Sequence, residues 1–413
     1  MTGRALRIMA AGLRGIPDVS GGIETHAAEL YPRLVQLGMQ VDVVGRRQFR
    51  PPGVSGDWRG IRLRWLWAPQ RRGFEAALHT VLGVLYAGLR RPDILHIHAV
   101  GPSITVPLAK LLGLRVVVTH HGQDYVREKW NAPERWILRL GERLAMRFSD
   151  GLIAISSNLQ ETLKQRYGRE ATYIPNGVGG RAEQAGGELL SEYRLTKGKY
   201  VIQVSRLVPE KRQLDLIQAF QAAGLAGWKL VLVGGSQGED RYAARMREAA
   251  ALDDRIICTG ALQPASAHKL VADAGLFVLP SSHEGLPIAL LEALAYTVPS
   301  LASDIPGNRE IGLDPDSYFP LGDVEALAAR LRTLAASSAE RDRLVCRYAD
   351  ICRHYDWDQI AQQTCSLMQR VALERHAGDL QFPSTVAIVE KARTSRGAAD
   401  TAAQADRVRS AIS

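Results

Sequence analysis

Two glutamates bracket the apolar run Glu284-Gly-Leu-Pro-Ile-Ala-Leu-Leu-Glu292. On a single helix, carboxylates at that spacing stand roughly 12 Å apart along the axis and less than about a quarter turn apart around it. They are too far apart to share a proton or a metal ion, and well placed to touch the two ends of an elongated ligand. Between them, the free amides of Gly285, Leu286 and the neighbours of Pro287 at a helix N-terminus would draw an anion such as a diphosphate. Pro287 suits the first helical turn. A plainer reading stays open on these residues alone, with Glu284 as a helix cap and Glu292 as an ordinary surface group.

Such a site needs elements that hold it. The chain begins with a strand at Leu6–Leu13, a Gly- and Pro-bearing loop, and a helix whose apolar positions Ile23, Ala27, Leu30, Leu34 and Leu37 step by three and four. Short apolar runs follow at Val41–Val44, Ile94–Ile97, Val116–Val118 and Leu152–Ile155. That alternation builds a parallel sheet. After Tyr173-Ile-Pro-Asn-Gly-Val178 the stretch GGRAEQAGGE reads as a linker, and the pattern restarts. Strands are expected at Tyr200–Ser205, Leu230–Val233, Ile256–Cys258, Leu276–Leu279 and Ser300–Ala302, with Leu214, Ile217 and Phe220 marking a buried helix face.

The predicted architecture is therefore α/β, with two Rossmann-like doubly wound domains facing across a cleft. Their predicted extents are 1–178 for the first and 190–354 for the second. A helix over 355–375 is expected to cross back to the first domain, and a flexible tail to occupy 376–413. Ligands of such sheets bind outside the carboxyl ends of the strands, which directs attention to the crevice.

A chain of 413 residues, 46% hydrophobic and 23% charged, has the composition of a globular enzyme. Its best membrane candidate, Val81–Leu89, is less than half of the length a bilayer requires. The opening MTGRALRIMAAGL lacks the regions of a signal peptide, so a cytoplasmic location is expected. Cys258, Cys346, Cys352 and Cys365 form no CxxC pair and read as reduced core residues.

The formal charge of +9 is carried by the first half: Met1–Pro175 holds 25 Lys and Arg against 14 Asp and Glu, leaving 27 against 29. Arg46, Arg47, Arg50, Arg59, Arg62, Arg64, Arg71 and Arg72 are interleaved with Trp58, Trp65, Trp67 and Phe74. That mixture fits peripheral contact with an anionic membrane, where guanidinium groups meet phosphates and indoles sit at the interface. A solvated basic face explains it equally well. Without a nucleic-acid motif or a basic helix spacing, no nucleic-acid partner is expected.

EGLPIALLE resembles the E-x7-E motif of family 4 glycosyltransferases of the GT-B fold. The resemblance extends through ADAGLFVLPSSHEG, VPSLASDIPGNREI, the opening GIPDVSGGIETH, TYIPNGV and VSRLVPEKR, and spans most of residues 6 to 375 in order. It implies a retaining, metal-independent, hexosyltransferase-type enzyme. Such an enzyme moves a sugar from a nucleoside-diphosphate sugar to a glycan or polyprenyl-diphosphate-linked acceptor, as in bacterial exopolysaccharide, capsule or lipopolysaccharide biosynthesis.

The same resemblance distributes roles. Arg206 and Lys211 would hold the donor diphosphate and offset charge on the leaving group, work that fixed cations do without a metal. Gly21 and Gly22 would let the first-domain backbone approach the phosphates. Ala261 and Leu262 would meet the base through their backbone, Glu284 the donor sugar, and Glu292 the ribose hydroxyls. His121, rather than His120, resembles the active-site histidine that positions the sugar, while His98 reads as a lining or core histidine. Asp314–Asp316 and Asp356–Asp358 are D-x-D sequences read as turn and helix cap, so neither cofactor nor metal is expected. The lack of G-x-G-x-x-G after the first strand argues against an NAD enzyme. A GT-B-type nucleotide-sugar epimerase and a non-catalytic nucleotide-sugar or glycan binder are the alternative readings.

Overall fold

The computed structural model describes residues 4–378, apart from 20, 55, 70–73, 128–129, 180–186 and 237–240. The first sheet contains β1 (Arg7–Ala11), β2 (Gln40–Arg46), β3 (Asp57–Trp58), β4 (Ile61–Leu66), β5 (Ile94–His98), β6 (Val116–His120), β7 (Gly151–Ala154) and β8 (Thr172–Tyr173). Their spatial order is β3-β4-β2-β1-β5-β6-β7-β8. The second contains β9 (Tyr200–Val204), β10 (Lys229–Val233), β11 (Ile256–Gly260), β12 (Leu276–Leu279), β13 (Ser300–Ser303) and β14 (Tyr318–Phe319), in the order β11-β10-β9-β12-β13-β14. Both start in the middle, run to one edge, and return to build the other, so each has a switch point beside its first strand. These are the two Rossmann-like sheets expected from the sequence.

Strands β5 and β6 are buried from end to end, as befits parallel strands covered by helices on both faces. An apolar cluster that includes Met9, Ile97 and Val118 extends to Phe277, Leu286 and Leu290 of the second half. The chain passes between the halves twice, side by side: Val178 N–H donates to the Tyr355 carbonyl at 2.8 Å. Gly177 lies under Trp357, and a Cβ there would sit 2.5 Å from the indole. Arg33 also pairs with Asp358 at 2.8 Å.

Several local expectations need correction. Residues 61–66, read as part of a basic aromatic surface, form β4, and Arg62 and Arg64 both pair with Asp42 of the adjacent strand. Arg59 and Gly60 take positive φ values of 47° and 80°, the turn whose twist joins β3 to β4. Trp65 packs over Gly15 and Gly45 instead of facing outward. Trp67 is exposed. All four cysteines are free, but Cys258 and Cys346 lie on the surface, so they are not core residues. The last described helix, Trp357–Gly378, starts two residues later than Tyr355, because the Asp356 carboxylate accepts from the amides of Asp358 and Gln359. Arg71, Arg72, the side chain of Phe74, most of the linker and the tail beyond Gly378 lie outside the described residues.

Candidate active site

The loops that leave the central strands at their carboxyl ends bring the chemistry together. After β9 comes Arg206, then the turn Pro209–Lys211, whose Lys211 carbonyl accepts from Gln203 Nε2 at 2.9 Å. Gln213 fixes the other side of that loop by donating to the Arg206 carbonyl at 2.9 Å. After β12 comes Ser281 to Pro287. Glu284 meets Lys211 there, Nζ to Oε1, at 2.5 Å.

The sequence placed Glu284 at the start of the helix that bears Glu292, and the structure does not. That helix runs Ile288–Ala295 with Pro287 as its N-cap, at φ −77° and ψ 105°, outside the helical region. Glu284, Gly285 and Leu286 therefore belong to the preceding loop, and the axial separation estimated for a shared helix does not apply. Lys211 draws the carboxylate back toward the second sheet. The first-turn amides of Ile288 and Ala289 still lack intrahelical acceptors by construction.

Burial alone would raise the Glu284 pKa, but the Lys211 charge, the hydrogen bond from Lys211 and the charge of Arg127 outweigh it and hold the group below its ordinary value. Glu284 is thus an anion at neutral pH. Arg206 shows the opposite balance: burial, then the charges of Arg127 and Arg14, pull its guanidinium below its ordinary value. Among the described residues Arg206 makes no ion pair, and the charges of Glu210 and Asp124 only partly offset this balance. Arg206 of the second lobe therefore lies in the fields of Arg14 and Arg127 of the first, with the charges of Glu210 and Asp124 acting in the opposite sense.

The first lobe adds Arg14, in the loop after β1, gripped by the buried Glu24 through Nε to Oε1 at 3.0 Å and Nη2 to Oε2 at 2.8 Å. Gly21 makes this possible: its φ is 149°, and a Cβ would overlap both Arg14 and Glu24. Gly22 opens the helix Gly22–Gln36 and is exposed, with open space around its Cα. Arg127, anchored to Asp124 at 3.0 Å, completes the cationic set. Glu24 lies within GIPDVSGGIETH, but nothing local in the sequence marks Arg14, Glu24 or Arg127 as site residues.

His121 stands just after β6, with its Nε2 2.9 Å from His98 Nδ1. Its neighbour His120 turns the other way, into a buried cluster where Glu142 takes hydrogen bonds from His120 at 2.9 Å and Tyr167 at 2.7 Å, with Arg166 at 3.0 Å. Burial, then the fields of His26, His96 and His120, holds His121 well below the ordinary imidazole value. Gly285 lies against the His121 carbonyl, where a Cβ would come within 2.5 Å, so the two lobes touch at backbone distance beside the histidine. His98 is a buried lining residue, bonded to Tyr31 as well.

Glu292 faces His268 at 3.2 Å, a partner that the sequence gave no means of finding. Ala261 is exposed and Leu262 half-buried, both just past the end of the edge strand β11. Asp314 caps a turn and Arg343 engages both Asp314 and Asp316, so the D-x-D there is turn structure.

Residues 20–179 match the model described as Glycosyltransferase Family 4, and residues 191–348 the model described as Glycosyl transferases group 1. The chain belongs to the family 4 glycosyltransferases. This glycosyltransferase is 26% identical over 366 residues to the phosphatidyl-myo-inositol mannosyltransferase of Mycobacterium leprae, covering 86% of this chain and 94% of the relative. Its GT-B fold is shared with the sucrose-phosphate synthase of Thermosynechococcus elongatus, with TM-score 0.73 and 20% identity over 89% of this chain and 99% of the other. It is shared too with the Anabaena protein HepE in complex with UDP and glucose, with TM-score 0.71 and 19% identity over 88% and 100%. Among the described residues of the glycosyltransferase, no helix is long and apolar enough to cross a membrane.

Proposed function

We propose that the glycosyltransferase moves a sugar, with retention, from a nucleoside diphosphate to a glycan acceptor carried on a lipid, in the making of a bacterial surface polysaccharide. The observation that carries this reading is the buried Arg206 guanidinium, which makes no ion pair among the described residues and on which Arg14 and Arg127 act more strongly than Glu210 and Asp124. The site is electrostatically complementary to a diphosphate that gains charge as it leaves.

In this reading, the bond between the sugar's anomeric carbon and the diphosphate breaks while the acceptor oxygen bonds to the same face of that carbon. The acceptor proton passes to a phosphate oxygen of the departing diphosphate. Arg206, Lys211 and the first-turn amides after Pro287 take up the growing negative charge without a metal. Glu284, already committed to Lys211, acts on the sugar by position and charge. Glu292 and His268 face the ribose, Ala261 and Leu262 the base, and Gly21 and Gly22 let the backbone of the first lobe close on the phosphates. His121, neutral at working pH, positions the sugar.

A lipid-borne acceptor is supported by the first lobe. Its helix Ala132–Phe148 carries exposed Arg139, Arg143 and Arg147 together with exposed Trp136, Ile137 and Phe148, and Trp67 is exposed as well. Arginines beside aromatic groups suit the interface of an anionic membrane on the cytoplasmic side. The Mycobacterium leprae relative is named a phosphatidyl-myo-inositol mannosyltransferase.

The test begins with thermal shift against UDP-, GDP- and dTDP-sugars, since a donor at about 100 times its Kd adds about 2.7 kcal/mol of stability. The stabilising donor is then incubated with and without lipid-linked glycans in anionic vesicles. Acceptor-dependent product whose anomeric signal matches the donor's supports the reading. Conversion of the sugar without acceptor points to an epimerase instead, and binding without turnover on any acceptor points to a non-catalytic binder.

A further inference from the structure

Behind His121 the first lobe holds three imidazoles whose nitrogens converge. His26 comes from the first helix, His98 ends β5 and His121 follows β6. One nitrogen from each lies within 4.8 Å of the others. The closest pair, His98 Nδ1 and His121 Nε2, is 2.9 Å apart. Around a tetrahedral Zn2+, with bonds of about 2.0 to 2.1 Å, imidazole nitrogens stand roughly 3.3 Å from one another. Small ring rotations separate the present arrangement from that one.

The hydrogen bonds behind the rings favour metal binding. Asn176 Nδ2 donates to the Leu286 carbonyl at 2.9 Å, which turns its Oδ1 toward His26 Nδ1 at 3.0 Å. His26 Nδ1 therefore carries the proton, and Nε2 presents a bare lone pair. That Nε2 is buried and, among the described residues, has no hydrogen-bond partner. A buried polar atom left without a partner is uncommon in a native fold and invites an explanation. His98 is held likewise: its Nε2 lies 2.5 Å from the Tyr31 hydroxyl, and that hydroxyl lies 2.9 Å from His96 Nδ1. With Tyr31 donating to His96 and His98 Nε2–H donating to Tyr31, Nδ1 of His98 is free to ligate. Ligating histidines elsewhere are oriented by such partners on the far nitrogen.

We propose that His26, His98 and His121 form a site for a single borderline divalent ion of the Zn2+ and Co2+ class, with water from the crevice as the fourth ligand. Neutral imidazoles favour such ions over Mg2+ or Ca2+, which require oxygen. Binding replaces the hydrogen bond that His121 Nε2–H donates to His98 Nδ1 with two bonds to the metal, and the His121 proton passes from Nε2 to Nδ1 by way of solvent. Occupancy then fixes His121 on the metal and away from the sugar, so the ion inhibits transfer; this consequence alone rests on the function proposed above.

The test uses untagged full-length protein stripped with EDTA and titrated with Co2+, followed by its visible d–d absorption. The expected result is one equivalent bound with a four-coordinate spectrum that Zn2+ abolishes. His26→Leu removes that equivalent. His26→Gln, able to keep the hydrogen bond to Asn176, also removes it and serves if the Leu variant fails to fold. Asn176→Ala, which leaves all three ligands, weakens binding about 10- to 100-fold. Absence of a four-coordinate spectrum, or a spectrum unchanged in the folded His26 variants, overturns the site. Zn2+ is then added to the transfer assay. Inhibition that EDTA reverses in the native protein, and that is absent in His26→Gln, supports the whole proposal. A site that binds and depends on His26 while Zn2+ leaves turnover unchanged overturns the inhibitory consequence and the part given to His121, and keeps the site.

Discussion

Lys211 and Glu284, 73 positions apart in the chain, meet at 2.5 Å because the loops after β9 and β12 leave adjacent strands at the switch point of the second sheet. Each side chain is largely withdrawn from water, and each would be costly to bury alone.

Lys211→Ala is expected to weaken donor binding about 10- to 100-fold, the scale of a charge-assisted hydrogen bond to phosphate. It also leaves Glu284 unpaired, which lowers thermal stability. Glu284→Gln is expected to keep the fold by circular dichroism and to lower kcat by about 100-fold or more. Because Glu284 is held below its ordinary carboxylate value, its ionic contribution is present above about pH 4.5 and is lost only as the pH falls through the lowered value. A folded Glu284→Gln protein with native kcat would remove the residue from the mechanism.

Gly285→Ala places a methyl group against the His121 carbonyl. Overpacking of this kind costs about 1–3 kcal/mol. The expected signature is a kcat loss well beyond the loss in Tm, since the contact sets how closely the lobes meet beside the histidine. Steady-state rates and melting curves on the same preparation decide it, and unchanged rates would show that the contact has slack.

His268 is pulled down by burial but pulled up more by its bond to Glu292 and that residue's charge, so its pKa stands above 6.5. A raised histidine stabilises the folded state fully below about pH 6.5, and that contribution fades as the pH rises through the folded value. Glu292→Gln is expected to drop the His268 titration below the ordinary value, as followed by NMR of the imidazole. A titration that does not move would mean that the pair is not formed in solution.

Glu142 is 0% exposed and accepts from His120, Tyr125, Tyr167 and Arg166. Glu142→Ala strands those donors and is expected to cost about 3–5 kcal/mol in denaturant unfolding. His120→Asn is expected to be milder, because one donor is replaced by another. Equal small effects from both would show that the cluster is solvated rather than sealed.

The repeated alternation of apolar runs and helical periods sufficed for two parallel sheets, since strands covered on both faces read as unbroken apolar segments. It failed at β4, where Arg62 and Arg64 break the apolar run because their charges are answered by Asp42 on the neighbouring strand. Arg206, Lys211, Glu284 and His121 were legible as motif residues. Arg14, Arg127, His26 and His268 were not, because their partners lie on other loops and helices.

The sequence by itself determined the class of fold, the order of its elements and which short segments carry reactive side chains. Those properties follow from local periodicity and residue type. Only the tertiary structure decided that Glu284 leaves the helix to join Lys211, that the charges of Arg14 and Arg127 reach Arg206 from the other lobe, and that three histidines from separate segments converge. Strand order sets such meetings, and strand order is written in contacts between residues that local patterns do not connect.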